Sequence, residues 1–368
     1  MIKLTVMDTK EEEVSTDTFK NGLYRGEPYI SGEQPAECAV KLNTNENPYP
    51  PSPGVLKALS EFDGGRLRLY PRQDGGKLRE TLASYHGVSK ENIFVANGSD
   101  EVLAIAFRAC FGTDKPVLFS EVTYSFYPVW CEFLKIPFET VSASGGFRHE
   151  AEDFLKPNGG IVICEPNAPT GIAQGEKFID RVLELNGDRS VVIVDEAYGD
   201  FAEFSAIPKT INNPNLLVTR TFSKGRSLAG LRIGYAIGDK ILIDALMAAK
   251  DSFNSYPIDS LSEALGVISI EDEEYYRATT EKIKRTRGET EARLKALGFD
   301  VPESSANFIF AGAGSEERAK EILGFLREAG IYVRHFDKPD IKDRLRISIG
   351  KPEDMEILFR RLEEYLAL

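Results

Sequence analysis

Histidine is scarce: the 368 residues hold three, His86, His149 and His335, none at ligand spacing from another. That leaves little room for a histidine-built metal site or a serine-hydrolase triad, so acid–base chemistry has to come from another side chain. Cysteine is nearly as sparse. Cys38, Cys110, Cys131 and Cys164 lie far apart, which argues against a zinc cluster or redox pair and reads as reduced core thiols of a cytoplasmic protein. No apolar run approaches the roughly 18 residues of a membrane helix, and the opening MIKLTVMDTKEEEV has no basic segment leading into an apolar one, so neither insertion nor export is expected. A surplus of positive charge is missing too. With 58 acidic against 45 basic residues the net charge is −13, which disfavours a nucleic-acid partner. A phosphorylated small molecule would need a few placed cations to hold it.

What the chain does have is an alternation of short apolar runs with helical stretches. Residues 1–40 are polar and punctuated by Gly and Pro, and read as an extended arm. Apolar runs then recur at 93–96, 117–119, 161–164, 191–194, 216–218 and 233–237. Runs this short and this apolar suit strands buried on both faces, and the loop-plus-helix spacing between them implies a mainly parallel sheet in an α/β fold. Residues 41–270 form this large domain. After about residue 249 the texture changes: a charged stretch at 271–297 reads as a bent, solvated helix, followed by strands and helices, and 271–368 form a small α+β C-terminal domain. In open parallel sheets, ligands sit beyond the carboxyl ends of the strands.

The informative residues stand at those ends. In VVIVDEAYGDF (191–201), Asp195 follows four apolar positions, where a carboxylate is costly unless a cation pairs with it. The next strand ends in TFSKGRSLAGLRIGYAIG (221–238), with Thr221 and Ser223 flanking Lys224. A lysine inside such a cleft has its pKa lowered, as an imine-forming amine requires. Singly, each has an ordinary reading, a helix cap or a surface charge; together they are harder to dismiss. They converge on pyridoxal 5′-phosphate, whose aldehyde needs a lysine, whose ring nitrogen needs a carboxylate, and whose phosphate needs backbone N–H groups and hydroxyls. The Gly98-Ser99-Asp100 helix start, Ser223 and Arg232 supply the phosphate cup. Tyr198 can donate to the phenolic oxygen and Tyr124 can stack on the ring.

LNTNENPYPPSPGVLKAL (42–59), RLYPRQDGGKLRETLASYHGV (68–88), EPNAPTG (165–171) and the two strand-end motifs resemble the fold-type I, class II aminotransferases, in the family's order along nearly the whole chain. PYISGEQP (28–35) and LNTNENPYPPSP point to the histidinol-phosphate branch. The resemblance implies a seven-stranded, mainly parallel sheet between helices and a homodimer with shared active sites. It implies Lys224 as the imine-forming base, Asp195 as partner of the ring nitrogen, and Tyr198 as donor to the phenolic oxygen. Tyr70 would reach the cofactor phosphate of the neighbouring subunit. Arg346 and Arg334 would grip the substrate anion, with Tyr29 from across the interface and Asn45 also on the substrate. The family's asparagine before Pro-Thr-Gly is Ala168 here, which leaves Asn167, one residue earlier, or Tyr198 alone for the phenolic oxygen.

The implied reaction is a transamination in which L-histidinol phosphate donates and a 2-oxo acid, 2-oxoglutarate, accepts. An aromatic or broad-specificity aminotransferase and a phosphorylated amino acid decarboxylase would share the catalytic residues. A non-catalytic regulator that binds the cofactor would bring a DNA-binding segment, which is not visible.

Overall fold

The computed structural model describes residues 23–36, 40–112 and 114–367. Much of the arm, and Cys38 with it, lies outside the described residues. The strands are β1 (Val40–Lys41), β2 (Ile93–Asn97), β3 (Val117–Ser120), β4 (Phe138–Val141), β5 (Gly160–Cys164), β6 (Val192–Asp195), β7 (Leu216–Thr221), β8 (Ile233–Gly238), β9 (Phe308–Gly312), β10 (Ile331–Tyr332), β11 (Arg334–His335) and β12 (Arg344–Ser348). The α-helices are α1 (Pro53–Ser60), α2 (Gly76–His86), α3 (Gly98–Cys110), α4 (Phe126–Leu134), α5 (Glu176–Asn186), α6 (Lys240–Asp251), α7 (Ser260–Glu271), α8 (Glu273–Ala296), α9 (Glu316–Glu328) and α10 (Pro352–Leu366).

Seven strands form one sheet in the order β2-β8-β7-β6-β5-β3-β4. Only β8 runs antiparallel to its neighbours, β2 and β7. Each apolar run read from the sequence is one of these strands. The seventh, β4, escaped because it is an edge strand: its Phe138, Glu139 and Thr140 are not buried, and only Val141 is. Inner strands are buried on both faces, since successive side chains point to opposite sides. In β6, Ile193 joins the core on one face while Val192 and Val194 join the core on the other.

Strand direction decides where the chemistry gathers. With β8 reversed, β2 runs the same way as β5, β6 and β7, so the carboxyl ends of those four strands and the start of β8 meet at one edge. That edge carries the start of α3 after β2, Cys164, Asp195, and the turn from β7 into β8 that holds Lys224 and Arg232.

A second, antiparallel sheet of order β11-β12-β9 lies in the C-terminal part, with α9 and α10 beside it. Residues 40–42 attach to this part: β1 pairs parallel with β10, and the Ser348 N–H donates to the Leu42 carbonyl at 2.9 Å. The charged stretch differs from its sequence reading. Its break falls at Asp272, between α7 and α8, where the Asp272 carboxylate accepts from the Ser52 hydroxyl. Moreover, α8 is not solvated all round. Thr279, Thr280, Ile283, Thr286, Thr290 and Leu294 are buried along one side, and several of these threonines return their hydroxyls to the carbonyl four residues back, as Thr290 does to Thr286 at 2.7 Å. A polar composition therefore hides a packing stripe. No described helix is long and apolar enough to cross a membrane.

Candidate active site

At the common strand edge lies a cleft of about 410 Å³, closed on its far side by β11, β12 and the arm. Thirteen of the residues singled out in the sequence line it: Tyr29, Asn45, Ser99, Asp100, Tyr124, Asp195, Tyr198, Thr221, Ser223, Lys224, Arg232, Arg334 and Arg346. A larger apolar groove, about 910 Å³, runs beside it between α3, α4 and the end of α6, and shares Tyr29. Its wall lacks the converging polar groups that chemistry needs.

Asp195 ends β6 and is almost fully buried. Three donors hold its carboxylate, the Tyr127 hydroxyl at 2.7 Å, the Thr219 hydroxyl at 3.0 Å and the Ala197 N–H at 3.2 Å. Burial nevertheless pushes its pKa up to about 6, and among the described residues no cation pairs with it. A carboxylate this well held at a cleft floor is poised for a cation supplied by a ligand.

Lys224 sits in the turn after β7. Asn47 donates to the carbonyls of Lys224 and Gly225 at 3.0 and 3.1 Å, and the Asp200 carboxylate accepts from the Gly225 N–H at 3.0 Å. Asp200 is itself fixed by Arg220 at 2.9 Å and by the Tyr276 hydroxyl at 2.8 Å. The backbone is thus clamped while the side chain stays loosely held: among the described residues its Nζ has one hydrogen bond, to the Thr44 carbonyl at 3.3 Å. Burial, and then the positive charge of Arg346, bring the Lys224 pKa down to about 8. The amine is much closer to its nucleophilic, neutral form than a surface lysine.

The start of α3 faces the other end of the floor. Gly98 has φ of +79°, and a Cβ there would stand 2.5 Å from Arg232; one on Gly234 would stand 2.3 Å from the Ser99 nitrogen. The two glycines let β8 back directly onto the helix start. Asp100 stands in the first turn of that helix. Its carboxylate accepts from the Tyr124 hydroxyl at 2.9 Å and pairs with Arg232 at 3.0 Å, so it orients those two groups. Thr221 and Ser223 share a hydroxyl bond of 3.0 Å beside them.

The rim comes from elsewhere. In the β11–β12 pair Arg334 lies directly opposite Arg346, so both reach the same face. Arg346 is packed between the Phe308 and Phe336 rings, at 5.4 and 5.3 Å. It donates to the Asn43 carbonyl at 3.0 Å, and its buried Nε has no partner among the described residues. Burial lowers its pKa. Arg334 donates to the carbonyls of Ser31 and Ile30 at 3.0 and 2.9 Å and so fastens the arm across the cleft.

Several expectations need correction or relocation. Asn167 does not face the cleft: its amide accepts from Thr123 at 2.8 Å and donates to Val122 and Thr170, so it builds its own turn. Ala168 lines the cleft instead. Tyr29 lies in the cleft of its own chain, stacked on Phe126 at 4.4 Å. Tyr70 is 83% exposed, stacked on Tyr256 at 4.8 Å, and away from its own cleft. Asn45 has both ends of its amide engaged within the protein, with Tyr198 and Ser348. The histidines are occupied elsewhere, His86 with Tyr235, His149 with Ser120 and His335 with the Lys342 carbonyl. Tyr127, Thr219, Asn47, Asp200 and Phe336 were not foreseen. All act through contacts between segments distant in sequence; Asn47 and Asp200 lie inside the quoted motifs at 42–59 and 191–201, which by themselves assign them no partner.

Comparison with known proteins agrees with this geometry. The family described as aminotransferase class I and II matches residues 38–362. A histidinol-phosphate aminotransferase of Chromohalobacter salexigens is 50% identical over 336 residues, covering 91% of this chain and 95% of that protein. One from Clostridium botulinum is 45% identical, covering 92% and 96%. The crystal structure of a histidinol-phosphate aminotransferase from Sinorhizobium meliloti, in complex with pyridoxal-5′-phosphate, superposes with a TM-score of 0.83 at 24% identity, covering 90% of this chain and 92% of that one.

Proposed function

The chain belongs to the class I and II aminotransferases, and from that premise we propose that it moves an amino group from L-histidinol phosphate to 2-oxoglutarate, with pyridoxal 5′-phosphate as cofactor. One observation carries the reading. A loosely held lysine and a buried, cation-free carboxylate share a cleft whose opposite end presents two arginines on paired strands.

The donor set fits the cofactor. Asp195 would hold the pyridine nitrogen, and its three hydrogen-bond donors keep the carboxylate fixed. Ser99, Thr221, Ser223, Arg232 and the N–H groups at the start of α3 would hold the phosphate. Tyr124 would wall the ring, and Tyr198 would meet the phenolic oxygen. When bound, the cofactor supplies an aldehyde conjugated to a cationic ring, which lowers the energy of the carbanion formed when a substrate Cα–H bond breaks.

The protein's own groups do the rest. Lys224 Nζ, its pKa lowered to about 8, would be the amine that holds the cofactor's aldehyde, and it stands where a neutral amine could take the Cα proton of a bound substrate. Asp195 would stay ionised against a ring cation, and burial would strengthen that pair. Arg346 and Arg334 bind the substrate phosphate in one half-reaction and a carboxylate in the other. Tyr29, Tyr124 and Phe336 narrow the entrance and keep water from the reacting carbon.

A homodimer is part of the reading. Tyr70 is exposed, turned away from its own cleft and free to serve a neighbour's phosphate. Residues 41–270 are taken as the cofactor domain and 271–368 as the small one. A cytoplasmic location is supported by three described cysteines that remain free thiols.

Steady-state kinetics with histidinol phosphate, histidinol, phenylalanine and threonine phosphate test the assignment. The phosphorylated imidazole donor is expected to lead histidinol in kcat/KM by about 10²-fold or more, the worth of two charge-assisted hydrogen bonds. If removing the phosphate left kcat/KM unchanged, the substrate assignment would fall and a broad-specificity aminotransferase would replace it.

A further inference from the structure

We propose that Asn45 is a positioning residue that aims the hydroxyl proton of Tyr198 into the cleft, through a relay starting at Ser348 on the small sheet. The inference deepens the functional reading above and rests on it. Asn45 is 1% exposed and stands in the left-handed region with φ of +55°, its carbonyl fixed by Asn307 Nδ2 at 3.0 Å.

With the Asn45 amide oriented as the structure has it, the bonds of the relay run in one direction. The Asn45 backbone N–H can only donate, and it donates to Ser348 Oγ at 2.8 Å. Ser348 Oγ must then turn its own proton elsewhere, and its other partner is Asn45 Oδ1 at 2.9 Å. With Oδ1 committed as an acceptor, Asn45 Nδ2 faces Tyr198 and donates to its hydroxyl at 2.9 Å. The Tyr198 oxygen is thereby an acceptor toward the protein, and its remaining proton is left to point into the cleft. A flipped amide would place two donors against Ser348 and draw the tyrosine proton back into the protein.

The surroundings make this orientation matter. Cleft-lining Cys164, Ala168 and Ala197 offer no comparable donor, and Asn167 is spent on its own turn. Tyr198 is left as the hydroxyl that can meet the cofactor's phenolic oxygen. Ser348 is two residues from Arg346 on β12, so both side chains project from one face of the small sheet. The relay therefore joins the strand that carries a substrate-anion arginine to the group that tunes the cofactor. Asn45 bonds both ends of that link, and would act on the cofactor through Tyr198.

The test is a pH titration of the visible absorption of cofactor-loaded protein. A donor on the phenolic oxygen competes with the proton shared between that oxygen and the lysine nitrogen, so losing it lets the proton persist to higher pH. Asn45→Asp, whose carboxylate would accept the tyrosine proton, is expected to raise the midpoint by about one pH unit. Ser348→Ala should raise it by less. Tyr198→Phe should raise it as well, and Asn45→Asp should add little in that background. A midpoint unchanged in Asn45→Asp would overturn the relay, as would an equal shift in the Tyr198→Phe background, which would mean that the new charge acts on its own. Should Asn45→Asp fail to fold or load, an unmoved midpoint in Ser348→Ala would overturn it equally. Wild-type protein that showed no cofactor-dependent band would sink the functional reading itself, a result distinct from any of these.

Discussion

At the floor of the cleft, Asp195 and the Lys224 turn stand at the ends of adjacent strands of the large sheet, each fixed by bonds from two or more segments. At the rim, Arg334 and Arg346 come from a two-stranded pair in the small sheet, and Arg334 spends its donors on carbonyls of the arm. The floor's environment alters its groups: burial pushes a carboxylate up to about 6 and draws an amine down to about 8. The rim's arginines wait for a counter-ion, Arg346 with its pKa lowered by burial and a buried Nε that has no partner among the described residues. The difference separates two tasks. Groups that change bonding must be held rigidly and desolvated, whereas groups that select an anion need only converge, and can sit on elements that respond to what binds.

That contrast can be broken, starting where the effect should be largest. Lys224→Ala is expected to lower kcat by about 10⁴-fold or more and to abolish the cofactor's visible band on borohydride-free protein; turnover within tenfold of wild type would place the chemistry outside the floor. Asp195→Asn should cost about 10² to 10³ in kcat, the worth of one buried electrostatic contact, with KM for the phosphorylated donor little changed. If KM rose instead while kcat held, floor and rim would not be separable.

Rim changes should run the other way. Arg346→Lys is expected to raise KM for both anionic substrates by about 10²-fold with a smaller loss in kcat, because lysine cannot reproduce the two-pronged contact. Arg334→Ala should cost about tenfold, confined to KM, since that side chain is tied to the arm before substrate arrives. The smallest effect is the pH dependence of loading cofactor onto apoprotein. Only neutral Lys224 Nζ attacks, and its pKa is lowered, so the rate should rise about fivefold from pH 7 to pH 8 and flatten above pH 9, as followed by stopped-flow absorbance. A rate still climbing at pH 10 would mean an amine unaltered by burial.

Much of the floor was legible in the sequence because its groups adjoin strands with strong local signals. Four apolar residues precede Asp195, and hydroxyls flank Lys224, so neighbours in sequence are neighbours in the site. The edge strand Phe138–Val141 was not, since a half-exposed strand lacks the apolar run that marks a buried one. The buried threonine stripe of α8 was hidden by composition for a related reason: threonine hydroxyls satisfied by their own helix pack like apolar groups. Asn45 looked like a substrate contact by motif, but its amide is committed inside the protein.

The sequence by itself determined the class of chemistry: the strand-and-helix alternation, the lysine and carboxylate at successive strand ends, and the lack of any histidine motif. Which groups support them was decided only by the tertiary structure. Tyr127 reaches Asp195 across 68 positions, and Asn47 reaches Lys224 across 177. Ser348 reaches Asn45 across 303. Local propensity and periodicity report a residue's near neighbours, while a hydrogen bond between distant segments depends on strand order and register, which exist only once the sheets have formed.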